Sequence, residues 1–430
     1  MFKVWLLIVF SGAAGAQVAD PGGEFRSLLE HETGGRLKLS FEFRAREEAR
    51  TGNNFGRSPN LENALTRTRI GAFFKATNWL AVSAMGQDAR APFYGPGAPA
   101  TVRDSMDLHE AYVELFPERD RGFGAVAGRR MITYGDGNLI GVPNWTNVSR
   151  TYDAVRAYYR LHKATVEVLL VSPVKILPDS FNHPNLGDRV WGTYNRFPNV
   201  IPGGVIEGYV LRHDQNTIGG FTGTGRLGTR TFGGRANGPL LSGFKFHGEL
   251  AVQNGHSGLM GHSGLGWIAG LDESFRAGRF PVDLLAEYKY ASGTKQPGTA
   301  HDGTFDQLYP SNHDKFGHAD LFGWRNIEDF RVLSTAHITR AVSVHLMYNN
   351  WWLASARDAL YNSSGKSLAE SPSGKAGRHI GQEADIFGVY RIGPYHLGAG
   401  FAHVFRGRFL KETTPGVNTR YLYVFETYSF

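Results

Sequence analysis

The chain has 430 residues, 55 of them glycine, with no cysteine, 13% aromatic residues and a formal net charge of +7. Without cysteine there is no disulfide framework, so order must come from backbone hydrogen bonds and packing. No stretch approaches the roughly 18 consecutive apolar residues of a membrane helix, and the basic residues are dispersed instead of forming one stripe, which argues against nucleic acid as a partner.

The chain starts with Lys3, an apolar run from Val4 to Phe10 and a small-residue ending through Ala16. That order predicts a cleaved secretory signal peptide over residues 1–16, with Gln17 as the new N-terminus. Residues 17–34 are polar, with a short helical stretch from Glu24 to Glu30, and read as a periplasmic segment or small plug. An exported chain without a helical anchor has one membrane solution left. Only helices and closed barrels satisfy backbone polar groups inside lipid.

From Gly35 to Phe430 the pattern has period two. Leu37, Leu39, Phe41 and Phe43 fall on one face, and Lys38, Ser40, Glu42, Arg44 and Arg46 on the other. Residues 64–75 repeat this, with Ile70, Ala72 and Phe74 opposite Arg67 and Arg69. Further strands are predicted at 79–88, 107–115, 124–134, 153–160, 163–173, 189–197, 204–212, 224–235, 243–253 and 264–275. The last group is 280–292, 327–339, 341–353, 379–391, 396–406 and 420–430. Most have the length that crosses a bilayer at a tilt, and tight turns alternate with long loops, the longest at 293–326 and 354–378. The predicted fold is all-β, a transmembrane antiparallel β-barrel of about 18 strands over residues 35–430. Trp79, Tyr134, Tyr152, Trp191, Trp267, Tyr290, Trp351 and Trp352 lie near strand ends, where aromatic rings prefer the membrane interface.

The run Gly223-Thr224-Gly225-Arg226-Leu227-Gly228 matches a dinucleotide pattern, but 229–235 continues as strand instead of opening a helix. It carries no nucleotide reading, and transport without an ATP site is passive. The last eleven residues, Arg420 to Phe430, form one alternating strand that ends on a bare phenylalanine. That ending resembles the closing strand of bacterial outer-membrane barrels, which the membrane's assembly machinery reads.

Several runs carry a more specific resemblance. They include Asp107-Leu108-His109-Glu110-Ala111-Tyr112-Val113-Glu114-Leu115, Gly128-Arg129-Arg130-Met131, and above all Asp302-Gly303-Thr304-Phe305-Asp306-Gln307-Leu308-Tyr309-Pro310-Ser311-Asn312-His313 with Ala319-Asp320-Leu321-Phe322-Gly323-Trp324. From about Gly35 onward the chain resembles the alginate export family of outer-membrane channels. The resemblance implies a barrel with an electropositive lumen that passes an anionic polysaccharide, and an exporter of this kind is expected to meet a periplasmic scaffold.

A polyuronate carries a carboxylate on each sugar, and arginine pairs with carboxylates through two parallel hydrogen bonds while staying charged. Strand phase puts Lys38, Arg44, Arg46, Arg67, Arg69, Glu110, Arg156 and Arg160 on the lumen face, with Lys289 and Arg331 as further candidates. At 126–132, Val126 and Ile132 share the face of Arg130, so Arg129 is assigned to the lumen. The loop around Asp306, Asn312, His313 and Asp320 is open to three readings: a gate folded inward, an ordered surface loop, or a calcium site built from its oxygens. Two other functions stay in play, a general anion or sugar uptake porin and, more distantly, a barrel hydrolase using His313 or His318 with the neighbouring aspartates.

Overall fold

The computed structural model describes residues 20–430 apart from 95–97, 118–119 and 221–222. The expected signal peptide lies outside the described residues. Among these, 18 strands form one antiparallel sheet closed on itself. They are β1 Leu37–Thr51, β2 Leu61–Lys75, β3 Leu80–Arg90, β4 Asp104–Leu115, β5 Arg121–Arg130, β6 Tyr152–Leu161, β7 Ala164–Lys175, β8 Asp188–Pro198 and β9 Val205–Gly220. The second half comprises β10 Gly223–Pro239, β11 Lys245–Ser257, β12 Met260–Ala277, β13 Phe280–Ala291, β14 Ile327–His337, β15 Val342–Trp352, β16 His379–Ile392, β17 Tyr395–Arg406 and β18 Thr419–Ser429. Each pairs with its chain neighbour, and β1 pairs with β18 to shut the ring.

Why the sheet closes is visible on β2. Leu65, Arg67 and Arg69 point inward and are buried, whereas Ile70 is 64% exposed on the outside. Val113, Val155, Val168, Val210, Phe232, Val252 and Leu346 are exposed on the same outer surface. Closure leaves no sheet edge, so every strand's backbone is paired and the outer face is free to be apolar toward lipid. The seam is tight. The N–H of Phe41 donates to the carbonyl of Phe430 and the N–H of Phe430 to that of Phe41, both at 3.1 Å. Their rings stack at 5.6 Å.

Connections differ between the two ends. Residues 162–163, 278–279 and 393–394 are tight turns at the end that also holds the start of β1 and Phe430. At the other end lie the long connections 131–151, 292–326 and 353–378. By the rule for such barrels, the short-turn end is periplasmic and the long-loop end extracellular. One extracellular connection departs from the expected alternation: β11–β12 is a tight hairpin.

The N-terminal segment contains helix α1, Pro21–Glu32, longer than the sequence suggests. Asp20 caps it, its carboxylate accepting from the N–H of Gly23 at 2.9 Å and from the Tyr428 hydroxyl at 3.0 Å. Gly22 lies against the Phe430 ring, where any Cβ would collide. The helix therefore starts on the outward-facing aromatics of the seam.

Of the aromatics predicted at the membrane interface, Trp79 and Trp191 face outward and Trp267 stacks with Tyr288 and Tyr290 on the outer surface. Tyr134, Tyr152 and Trp351 are corrections. Tyr152 and Trp351 are fully buried on the inner face, and the Tyr134 hydroxyl donates to the inward carboxylate of Glu167. Tyr152 and Trp351 meet Gly141 and Phe322 of inward-folded loops, and Tyr134 itself belongs to one, which a strand-end count does not reveal.

Candidate functional site: two loops folded into the lumen

The inner face of β1 and β2 brings four arginines together. Arg44 pairs across the strands with Arg67, and Arg69 with Glu42. Like charges directly opposite one another are unfavourable unless something is placed between them. Glu42 supplies part of the compensation, accepting from Arg67 Nε at 2.7 Å, and Gln87 accepts from Arg69 Nε at 2.8 Å.

Backbone carbonyls of the β5–β6 loop, residues 131–151, supply more. Arg44 donates to the carbonyls of Asn144 and Thr146, both at 3.0 Å. Arg67 donates to the same two carbonyls at 3.1 Å. Arg69 reaches the Asn144 side chain at 2.9 Å and the Ser149 hydroxyl at 2.5 Å. Arg46 donates to the Trp145 carbonyl and lies 4.3 Å from the centre of its ring. A guanidinium has five donors and no acceptor, so a turn of outward-facing carbonyls is a natural counterpart to this wall. The loop is held across the lumen by the arginines.

The second loop, residues 292–326, meets the first. The Gly141 N–H donates to the Tyr309 carbonyl at 2.9 Å, and the N–H of Tyr309 to the Leu139 carbonyl at 2.8 Å. Trp145 stacks on His313 with ring centres 4.4 Å apart and planes within 6°. Arg150 donates to the carbonyls of Tyr309 and Pro310 at 2.8 and 3.1 Å.

This loop is also fixed to the wall. Asp306 accepts from buried His213 at 2.7 Å and from the Thr229 hydroxyl at 2.8 Å, while Gln253 bonds both its N–H and its carbonyl. Burial opposes ionisation of Asp306, but the adjacent His213 and Thr229 hold its carboxyl below the usual carboxylate range. Lys289 donates to the Lys315 carbonyl, and the Ala319 N–H donates to Glu383 at 2.9 Å. His318 sits between Phe387 and Tyr423, with Tyr423 Oη 3.0 Å from its Nδ1. Burial, then the neighbouring His313, push the His318 imidazole down to about 3.

The remaining predicted residues are distributed as follows. Lys289 and Arg331 are buried on the inner wall and share Glu287, at 2.8 and 3.5 Å. Arg156 forms a bidentate pair with Glu167 at 2.8 and 2.6 Å. Glu110 accepts from the Met131 N–H at 2.7 Å, where the first loop leaves β5. Lys38 and Arg160 are exposed on the inward phase near the periplasmic end. Asn312 donates to the Ser363 carbonyl at 2.8 Å, and His313 pairs with Asp320 at 2.8 Å. Asp306, Asp320 and Glu383 thus have separate partners, and among the described residues no three His, Asp or Glu side chains converge as a metal-ligand set.

Arg129 is a correction. It shares the outward phase with Ala111 and pairs with Asp153 at 2.9 Å, outside the lumen. Arg130 is the inward residue, 3.6 Å from Glu114 and over the Tyr112 ring. Alternation predicts Val126 and Ile132 to be lipid-facing. Val126 is buried on the inner face, and Ile132 belongs to the inward loop, where it is buried among apolar residues. The role of loop 131–151 was also missed. Its only advance signal was its length on the extracellular side, since the carbonyls that dock it carry no sequence signature.

A closed transmembrane sheet with a polar, charged interior and loops crossing that interior defines an outer-membrane β-barrel channel. The model of the alginate export family matches residues 35–424, and the chain belongs to that family. No curated protein is similar enough in sequence to match it. Among solved structures it is similar to Pseudomonas aeruginosa OccK11 (OpdR), with 11% identity over 92% of this chain and 96% of that one and a TM-score of 0.61. It is likewise similar to OpdK of the same organism determined with vanillate, at 8% identity, 92% and 98% coverage and a TM-score of 0.61. Pseudomonas aeruginosa OccK2 (OpdF) matches at 9% identity, 92% and 97% coverage and a TM-score of 0.61. The chain is a passive channel of the bacterial outer membrane.

Proposed function

We propose that this channel passes an anionic polysaccharide of the alginate type, a polyuronate, along an electropositive stretch of the lumen. The observation that carries the reading is the group Arg44, Arg46, Arg67 and Arg69, whose ion-pair partners are Glu42 and Glu48 alone among the described residues. In a narrow, low-dielectric passage such an excess concentrates anions and lowers the barrier to their entry. Loops 131–151 and 292–326 serve as the gate. Carbonyls of loop 131–151 occupy Arg44, Arg46 and Arg67 at rest, and a carboxylate-bearing chain competes for the same donors. Exchange between carbonyl and carboxylate partners keeps each site weak enough to release the polymer. Lys38 and Arg160 extend the positive path toward the periplasm. The Phe430 strand is the feature assembly machinery would read, and the periplasmic rim is where an export scaffold would meet the barrel.

The test is the reversal potential of the purified channel in a planar bilayer under a potassium chloride gradient. The expected result is anion preference, reduced in an Arg44→Gln/Arg67→Gln/Arg69→Gln variant. Cation preference in the unaltered protein overturns the proposal.

A second reading is uptake of small organic acids. The two loops fold into the lumen, and the similar OpdK structure was determined with vanillate, an aromatic carboxylate. Liposome swelling separates the readings. Oligouronate permeation with little entry of vanillate favours the polysaccharide, and the reverse favours the small acid.

A further inference from the structure

The outer surface of the barrel carries a second basic cluster, which the transport reading does not use. On the outside of β8, β9 and β10 the boundary between apolar and polar residues runs in register across neighbouring strands. Trp191 pairs with Arg212, Arg212 with Arg230, and Arg230 with Asn254. One step toward the periplasm on the same outward phase lie Val210, Phe232 and Val252, each exposed as a lipid-facing residue would be. One step toward the extracellular side, Arg189 pairs with Asp214. The arginines therefore occupy the first polar rows above the apolar band, at the extracellular end.

Charge is unbalanced there. Asp214 accepts from Arg212 Nε at 2.8 Å and from the Trp191 indole N–H at 2.9 Å. Among the described residues, Arg189 and Arg230 have no side-chain hydrogen bond or ion pair, and both are exposed. Arg212 and Arg230 stand directly opposite each other, an arrangement that costs free energy unless an anion bridges them. Trp191 fixes the height of the group, because indoles anchor at the membrane interface. Guanidinium groups pair with phosphates through two parallel hydrogen bonds, and basic residues at a membrane surface bind anionic headgroups.

We infer that the outward Arg189, Arg212 and Arg230 form a docking site for the phosphate groups of the outer-leaflet glycolipid. The partner is a phosphorylated, multiply acylated sugar lipid whose chains lie on Val210, Phe232 and Val252 while its phosphates sit between the arginines.

The experiment uses the whole purified barrel and native mass spectrometry. The probes are lipid A carrying both phosphates, the same lipid A with its phosphates removed, and phosphatidylethanolamine. The expected result is retention of the bisphosphorylated form over the dephosphorylated form by about tenfold, with most of that preference lost in an Arg189→Gln/Arg212→Gln/Arg230→Gln variant. Folding is checked by heat-modifiable gel mobility, and channel conductance is expected to be unchanged because these residues lie outside the lumen. An Asp214→Asn variant removes the competing carboxylate and is expected to bind the bisphosphorylated lipid more tightly. Equal retention of the two lipid A forms by the unaltered protein overturns the inference. So does full preference in the triple variant, or no gain from Asp214→Asn.

Discussion

Arg67 illustrates how a charged residue is kept in a barrel interior. It is almost fully buried, donates to Glu42, and reaches the carbonyls of Asn144 and Thr146 in loop 131–151. Removing the cation deprives Glu42 of its closest donor and leaves the two carbonyls to Arg44 alone. Loss of one member of a buried pair costs about 3 kcal/mol or more. The Glu42 contact is lost within the wall, whose strand hydrogen bonds stay intact, while the lost carbonyl contacts weaken docking of loop 131–151. Arg67→Ala is therefore expected to leave a folded barrel, to make loop 131–151 cleave faster under limited trypsin digestion, and to raise single-channel conductance. Unaltered digestion would mean the loop is held by its other contacts alone. At this scale the sequence was partly legible. Alternation put Arg44, Arg46, Arg67 and Arg69 on the inner face, and it failed for Arg129 because the window ran past the strand end into an inward loop.

At the scale of the element, the two loops act as one body. Trp145 of the first lies on His313 of the second, and backbone bonds at Gly141 and Tyr309 join them. Trp145→Ala removes the stack and the surface under Arg46, so more frequent opening events are expected in single-channel records, with little change in barrel stability.

The second loop adds pH dependence through His318. Its folded-state value of about 3 lies below the ordinary histidine value, so the docked loop favours the neutral ring. Docking free energy is complete above the ordinary value, near pH 6.5, and declines as pH falls toward the folded value. At about pH 4.5 the loss is roughly 2–3 kcal/mol. Open probability is expected to rise on acidification from about pH 7 to pH 4.5, and a His318→Gln variant is expected to flatten that rise. A rise of the same size in the variant would assign the effect to other groups. The inward course of these loops was not legible in the sequence. Long-range contacts between guanidinium groups and carbonyls set it, and no local period encodes them. The run around Asp306 marked the second loop as distinctive, while the gate, surface-loop and calcium readings stayed open.

At the scale of the whole molecule, closure was the most legible feature, because period-two alternation persists from Leu37 to Phe430 and only a ring gives every strand two neighbours. The ring depends on its last residue. Phe430 makes both backbone bonds to Phe41, stacks on its ring, and supplies the surface against which α1 begins. In lipid an unpaired backbone group costs several kcal/mol, since no water replaces the lost partner. Deleting Phe430 exposes the Phe41 N–H and carbonyl at the seam, whereas Phe430→Ala keeps both bonds and loses only the ring. The deletion is therefore expected to lower the fraction of heat-modifiable barrel recovered from outer membranes more than the alanine variant does. If the backbone seam dominates, the alanine variant stays near the unaltered protein. If the two variants fall together, the aromatic ring is what assembly requires, and the seam's hydrogen bonds are secondary.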